Sequence, residues 1–139
     1  MALKDEFSQR KRLILIAEDD EDDRMFFQEA LQKFAGVVDF EFVENGRELI
    51  DYLDDRDALP DLIFLSINMR LMDGREALKV IRSDPKLKDI PVVCFTTSSS
   101  AEDRSFCLDH GAGFCTKPNR MSEFSALVQS QIGMAKVSV

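Results

Sequence analysis

Five short apolar runs, each followed by an amphipathic stretch, constrain this chain more than any other feature of its sequence. Parallel strands are joined by long crossovers, usually helices, so the alternation is the pattern of βα units around a parallel sheet. Leu13 to Ala17, Leu62 to Leu65 and Val92 to Phe95 are continuously apolar, as suits strands covered by helices on both faces. They are expected at the centre. Val38-Asp39-Phe40-Glu41-Phe42 alternates, and Gly113-Phe114-Cys115-Thr116 is short and less apolar, so both belong at the edges. With right-handed crossovers the expected strand order is 2-1-3-4-5, a doubly wound α/β sheet of five parallel strands.

The intervening segments carry helical spacing: Phe27, Ala30, Leu31 and Phe34 in the first, Gly46, Leu49, Ile50 and Leu53 in the second. Gly36 can stop the first helix, Asn45 with Glu48 reads as a capping box for the second, and Asp84-Pro85 closes the third. A fourth helix is expected from near Ser100 to His110-Gly111, and a last one from about Met121, with Phe124, Leu127, Val128 and Ile132 on one face. A length of 139 residues, 45% hydrophobic and 32% charged, fits one globular domain over residues 1–139. Its core is expected at about 12–133, with no output domain attached.

A net charge of −8 opposes binding to nucleic acid or an anionic membrane. The basic cluster Arg10-Lys11-Arg12 reads as a solvated strand entrance. No apolar run approaches 18 residues and Met1 to Glu6 lacks the core of a signal peptide, so a cytoplasmic protein is expected. Cys94, Cys107 and Cys115 have no CxxC spacing and read as structural thiols, and with His110 they match no zinc pattern.

In an open doubly wound sheet the ligand site lies beyond the carboxyl ends of the strands, where the strand order reverses. Glu18, Asp19 and Asp20 follow the first strand, Ser66 and Asn68 the third, Thr96 the fourth and Lys117 the fifth. They are expected to converge in one shallow cleft. Two carboxylates on a turn can bind Mg²⁺, which takes a few oxygen ligands and keeps several waters. For Asp20 to Asp23 the plainer reading is a solvated acidic turn, with Asp22 or Asp23 favouring the positive end of the first helix. Lys117 can serve as a fixed cation for a carboxylate or phosphate, and Thr96 can offer a hydroxyl to the same anion. The Thr96-Thr97-Ser98-Ser99-Ser100 run reads as a helix cap.

Glu18-Asp19, Asn68-Met69, Met72-Asp73-Gly74, Thr96 and Lys117-Pro118 fall in the order and spacing of response-regulator receiver domains, the CheY-like, flavodoxin-like modules of two-component phosphorelay systems. The chain resembles that family from about Leu13 to Ile132. The resemblance implies that Glu18 and Asp19 are a Mg²⁺-binding acidic pair, with Asn68 supplying a backbone carbonyl. It implies that Thr96 is the switch hydroxyl, Phe114 the aromatic rotamer switch and Lys117 the phosphate-pairing lysine. It further implies protein partners such as a sensor histidine kinase or a downstream signalling protein, met on the face of the fourth helix, fifth strand and fifth helix.

Two departures decide the functional expectation. Family members carry the phosphate-accepting aspartate two residues before Asn68, where this chain has Ser66. Arg70 stands where proline is common, adding a cation beside the pocket. An unassisted serine hydroxyl stays protonated near neutral pH and needs an adjacent base, and no histidine is placed to help. Loss of a carboxylate also weakens Mg²⁺. The expectation is a stand-alone receiver-like signalling module, not an enzyme, that is silent in aspartyl phosphorylation. An ordinary phospho-accepting regulator whose acceptor was changed to Ser66 is the alternative, and Arg70 as a second departure favours the first. A flavodoxin-like flavin protein or phosphotransferase is disfavoured because Glu18-Asp19-Asp20 would repel a phosphate. A single His110 leaves no catalytic triad, and no small-molecule ligand is expected.

Overall fold

The computed structural model describes residues 11–55 and 57–134. Arg10 of the basic cluster and the amino-terminal segment lie outside them. Strands β1 (Arg12–Ala17), β2 (Val38–Val43), β3 (Leu62–Ser66), β4 (Val92–Thr96) and β5 (Gly113–Thr116) alternate with five helices. The helices are α1 (Glu21–Gln32), α2 (Gly46–Asp54), α3 (Gly74–Ser83), α4 (Ala101–Asp109) and α5 (Met121–Met134). The sheet is parallel with order β2-β1-β3-β4-β5, as the hydrophobic ranking of the runs requires.

Side chains alternate across each strand, so the sheet sorts its core into two layers. Leu15, Ala17, Ile63, Leu65 and Cys94 face α2, α3 and α4. Ile14, Ile16, Phe64 and Phe95 face α1 and α5. On that second side Phe27, Phe64, Phe95 and Phe124 are fully buried and touch in edge or tilted pairs with centroids 4.9–5.8 Å apart. Such pairs add about 0.5–1.5 kcal/mol each beyond area burial. The other side is less even: α3 buries Gly74, Ala77, Leu78 and Ile81, whereas α4 buries Cys107 alone.

The helix ends follow local chemistry. Asn45 caps α2 by accepting from Glu48 N–H at 2.9 Å, while the Glu48 carboxylate accepts from Glu44 N–H, one residue earlier than a strict capping box. Asp20, Asp73 and Ser100 cap α1, α3 and α4. Helix α1 ends at Gln32 and not at Gly36: Phe34 N–H bonds Leu31, and Val37 and Val38 N–H both bond the Phe34 carbonyl. The turn that stops α1 is thus closed by backbone bonds around Phe34, whose ring still packs on the core. At the other end of the chain order, α4 finishes on His110 and Gly111, the latter at φ +69°.

The β3–α3 loop is pinned from both sides. An added Cβ on Gly74 would lie 2.2 Å from the Ser66 carbonyl oxygen, and one on Gly46 would lie 2.4 Å from that of Met72. Both glycines instead donate N–H groups, Gly74 to Ile67 and Gly46 to Met72. Between these anchors Met72 N–H bonds the Arg70 carbonyl at 2.8 Å, a γ-turn whose central residue is Leu71 at φ 65°. The Leu71 side chain is 84% exposed.

Candidate functional site

At the carboxyl ends of β1, β3, β4 and β5 a cleft of about 160 Å³ is lined by Glu18, Asp19, Asp20, Asp23, Ser66, Asn68, Thr96, Thr97 and Lys117. All seven strand-end residues expected to converge therefore meet there: Glu18, Asp19, Asp20, Ser66, Asn68, Thr96 and Lys117. Phe114 does not line it. That ring is half-buried and packs on the core layer facing α2, α3 and α4.

Lys117 sits at the centre. Its Nζ donates to Glu18 Oε1 at 2.6 Å, to Asp23 Oδ2 at 2.8 Å and to Ser66 Oγ at 3.3 Å. The lysine and glutamate side chains are 7% and 1% exposed, so this is a buried ion pair rather than a surface one. Burial works against the ammonium, but Glu18 and Asp23 together outweigh it and raise the Lys117 pKa above the ordinary lysine value. Burial also pushes the Glu18 pKa up, and Lys117 only partly offsets that. Both values rise, with opposite consequences for charge, because one cation is shared by two anions: Lys117 is held charged by both, whereas Glu18 is desolvated and faces Asp23 as well. The second Glu18 oxygen accepts from Asp20 N–H at 3.2 Å, and Arg24 donates to the Glu18 carbonyl.

Thr96 is buried, and its Oγ1 accepts from Ser98 N–H. Ser98 Oγ accepts from Ser100 N–H, and Ser100 Oγ from Asp103 N–H. The hydroxyl run is a relay of turns leading into the α4 cap, as its lack of glycine indicates. Asp23 is the residue the sequence reading placed differently. It lies in the first turn of α1, three positions after the cap Asp20, but its carboxylate bonds Lys117 rather than serving only the helix end. The available signal was that α1 begins at the same sheet edge where Lys117 follows β5.

The donor set fits Mg²⁺ only in part. Asp19 and exposed Asn68 line the cleft, but Glu18 already gives one oxygen to Lys117 and the other to Asp20, and β3 ends in a hydroxyl. Among the described residues no group of three or more His, Cys, Asp or Glu is disposed to hold a metal, and the three cysteines are buried and free. Among the described residues no helix is long and apolar enough to cross a membrane.

Known proteins resemble this chain in sequence and fold. The response regulator receiver domain family matches residues 14–129. Response regulator Rcp1 of Synechocystis sp. is 32% identical over 127 residues, covering 85% of this chain and 84% of that protein. A probable methanogenesis regulatory protein, FilR2 of Methanothrix harundinacea, is 28% identical over 122 residues, covering 84% and 79%. The crystal structure of the phosphorylated cyanobacterial phytochrome response regulator RcpA superposes with a TM-score of 0.86 at 31% identity, over 93% of this chain and 97% of that one. The Mn²⁺-bound form of Rcp1 gives a TM-score of 0.82 at 27% identity, over 92% and 97%. A five-stranded sheet in the order 2-1-3-4-5, a polar cleft at its carboxyl edge and a match across residues 14–129 lead to one conclusion: the chain belongs to the response regulator receiver domain family of two-component signalling.

Proposed function

We propose that the protein is a receiver module that acts through protein–protein contact without forming an aspartyl phosphate, because Ser66 stands at the phosphate-accepting position. The observation that carries this reading is the contact at the end of β3. The group 3.3 Å from the Lys117 ammonium is a neutral hydroxyl that accepts from that cation, and among the described residues no carboxylate or imidazole hydrogen-bonds it. A carboxylate there attacks phosphorus as an anion and yields a labile acyl phosphate, whereas a phosphoserine is a stable ester unsuited to a switch that resets itself. The module thus signals by conformation or docking, with a sensor histidine kinase or a downstream signalling protein as partner. The docking face is α4, β5 and α5, and the module catalyses no reaction of its own.

Glu18, Asp19 and the Asn68 carbonyl would hold Mg²⁺, more weakly than a site with a third carboxylate. When bound, the ion supplies charge neutralisation for a phosphoryl group. The protein's own residues orient the site: Asp20 N–H fixes Glu18, and Thr96 is locked in its turn.

Incubation with acetyl phosphate and Mg²⁺ tests this. The unmodified chain stays unlabelled by intact-mass analysis, and Ser66→Asp gains one phosphoryl group that hydroxylamine removes. Acid-stable labelling of the unmodified chain at Ser66 would sink the reading.

A further inference from the structure

Lysine has three N–H donors, and the Lys117 ammonium commits all of them: two to carboxylates at 2.6 and 2.8 Å, one to Ser66 at 3.3 Å. The two short bonds are charge-assisted and the long one is not. One of the carboxylates, Asp23, belongs to none of the positions that resemblance to the family assigns. It reaches the cleft from the first turn of α1, where its own N–H is fixed by Asp20 at 3.0 Å.

We propose that Asp23 is a specificity-determining residue of the cleft, a counter-anion built into α1 that occupies Lys117 and restrains phosphoryl chemistry there whatever stands at position 66. The inference rests on the reading of the cleft given above.

The electrostatics support it. Among the described residues lining the cleft, Lys117 is the one cation, against Glu18, Asp19, Asp20 and Asp23. A phosphoryl group at the end of β3 needs that cation, and recruiting it means breaking charged hydrogen bonds to side chains that are 1% and 22% exposed. The Asp23 charge also repels the incoming phosphate directly. Ser66 contributes only the weakest of the three bonds, so it does not hold the lysine. Restoring a carboxylate at position 66 therefore recreates the acceptor without releasing its counter-cation.

Asp23→Asn keeps size and shape at a partly exposed position and removes one charge. The experiment places Asp23→Asn in the Ser66→Asp chain and compares both with acetyl phosphate and Mg²⁺. In this reaction an oxygen of the carboxylate introduced by Ser66→Asp bonds phosphorus, the phosphorus–oxygen bond to the acetyl group breaks, and acetate leaves. Labelling of the double variant is expected to exceed that of Ser66→Asp by on the order of fivefold or more. Labelling at or below the Ser66→Asp level, absence from both included, overturns the inference. An unlabelled Ser66→Asp beside a labelled double variant supports it while failing the test of the preceding section. On the otherwise unmodified chain, a double-mutant cycle of Asp23→Asn with Lys117→Met should show a coupling of about fivefold to thirtyfold in the unfolding equilibrium. The corresponding cycle of Ser66→Ala with Lys117→Met should show almost none. A cycle in which Ser66 couples to Lys117 as strongly as Asp23 does also overturns the proposal.

Discussion

Lys117 and Glu18 lie 99 positions apart in the chain and 2.6 Å apart in space, joining the last strand to the first in a contact almost free of solvent. Breaking a buried pair from one side leaves an uncompensated charge, which costs about 3–5 kcal/mol, whereas replacing both partners by neutral groups costs much less. Lys117→Met should therefore destabilise the domain by that amount in urea, and adding Glu18→Gln should recover most of the loss. A single variant within about 1 kcal/mol of the unmodified protein would show that water already reaches the pair.

Leu71 offers the opposite case, a residue whose replacement improves stability. A non-glycine residue in the left-handed region costs roughly 1–2 kcal/mol, and glycine returns about 0.5–1 kcal/mol of that through its greater unfolded freedom. With its side chain 84% exposed, little packing is lost. Leu71→Gly should be neutral to more stable by about 1 kcal/mol, and the β-branched Leu71→Val less stable than the unmodified protein. Denaturant midpoints decide it, and a clearly destabilised glycine variant would contradict the strain argument.

Alkaline stability should be governed partly by Cys115. Burial pushes its pKa from 9.0 to about 11, so the folded thiol keeps a proton that the unfolded chain releases. Its contribution is fully present below pH 9, is lost progressively above it and levels off past about 11, amounting to on the order of 3 kcal/mol. The hydrogen bond between Cys94 and Cys107 raises the first thiol and lowers the second, so their effects oppose one another. Lys117 adds a loss only above the ordinary lysine value, 10.5, because its folded pKa is raised. Urea unfolding between about pH 8 and 10.5 should show a shallower decline for Cys115→Ala. Parallel profiles would refute the assignment.

Strands and their order were legible because burial on both faces demands unbroken apolar runs, and Leu13 to Ala17, Leu62 to Leu65 and Val92 to Phe95 have no other use. The cleft residues were legible for a similar reason, since parallel topology brings every strand end to one edge. Two features were not. Gly36 looked like a helix stop because composition marks where a chain can turn, while the bonds around Phe34 that end α1 depend on how β2 is approached. Asp23 looked like a helix-end charge because its position fits that role equally well, and only the reach of Lys117 across the sheet reveals the other.

The unequal packing of the two layers sets where the molecule can yield. Helices α1 and α5 are welded to the sheet by an interlocked block of phenylalanine rings, whereas α4 rests on it through one fully buried side chain. Mechanical compliance is thereby concentrated on one side. A disturbance at the cleft, transmitted through Thr96 and the hydroxyl relay that leads directly into the α4 cap, meets its least resistance at that helix, which makes α4 the hinge leaf of an otherwise stiff plate.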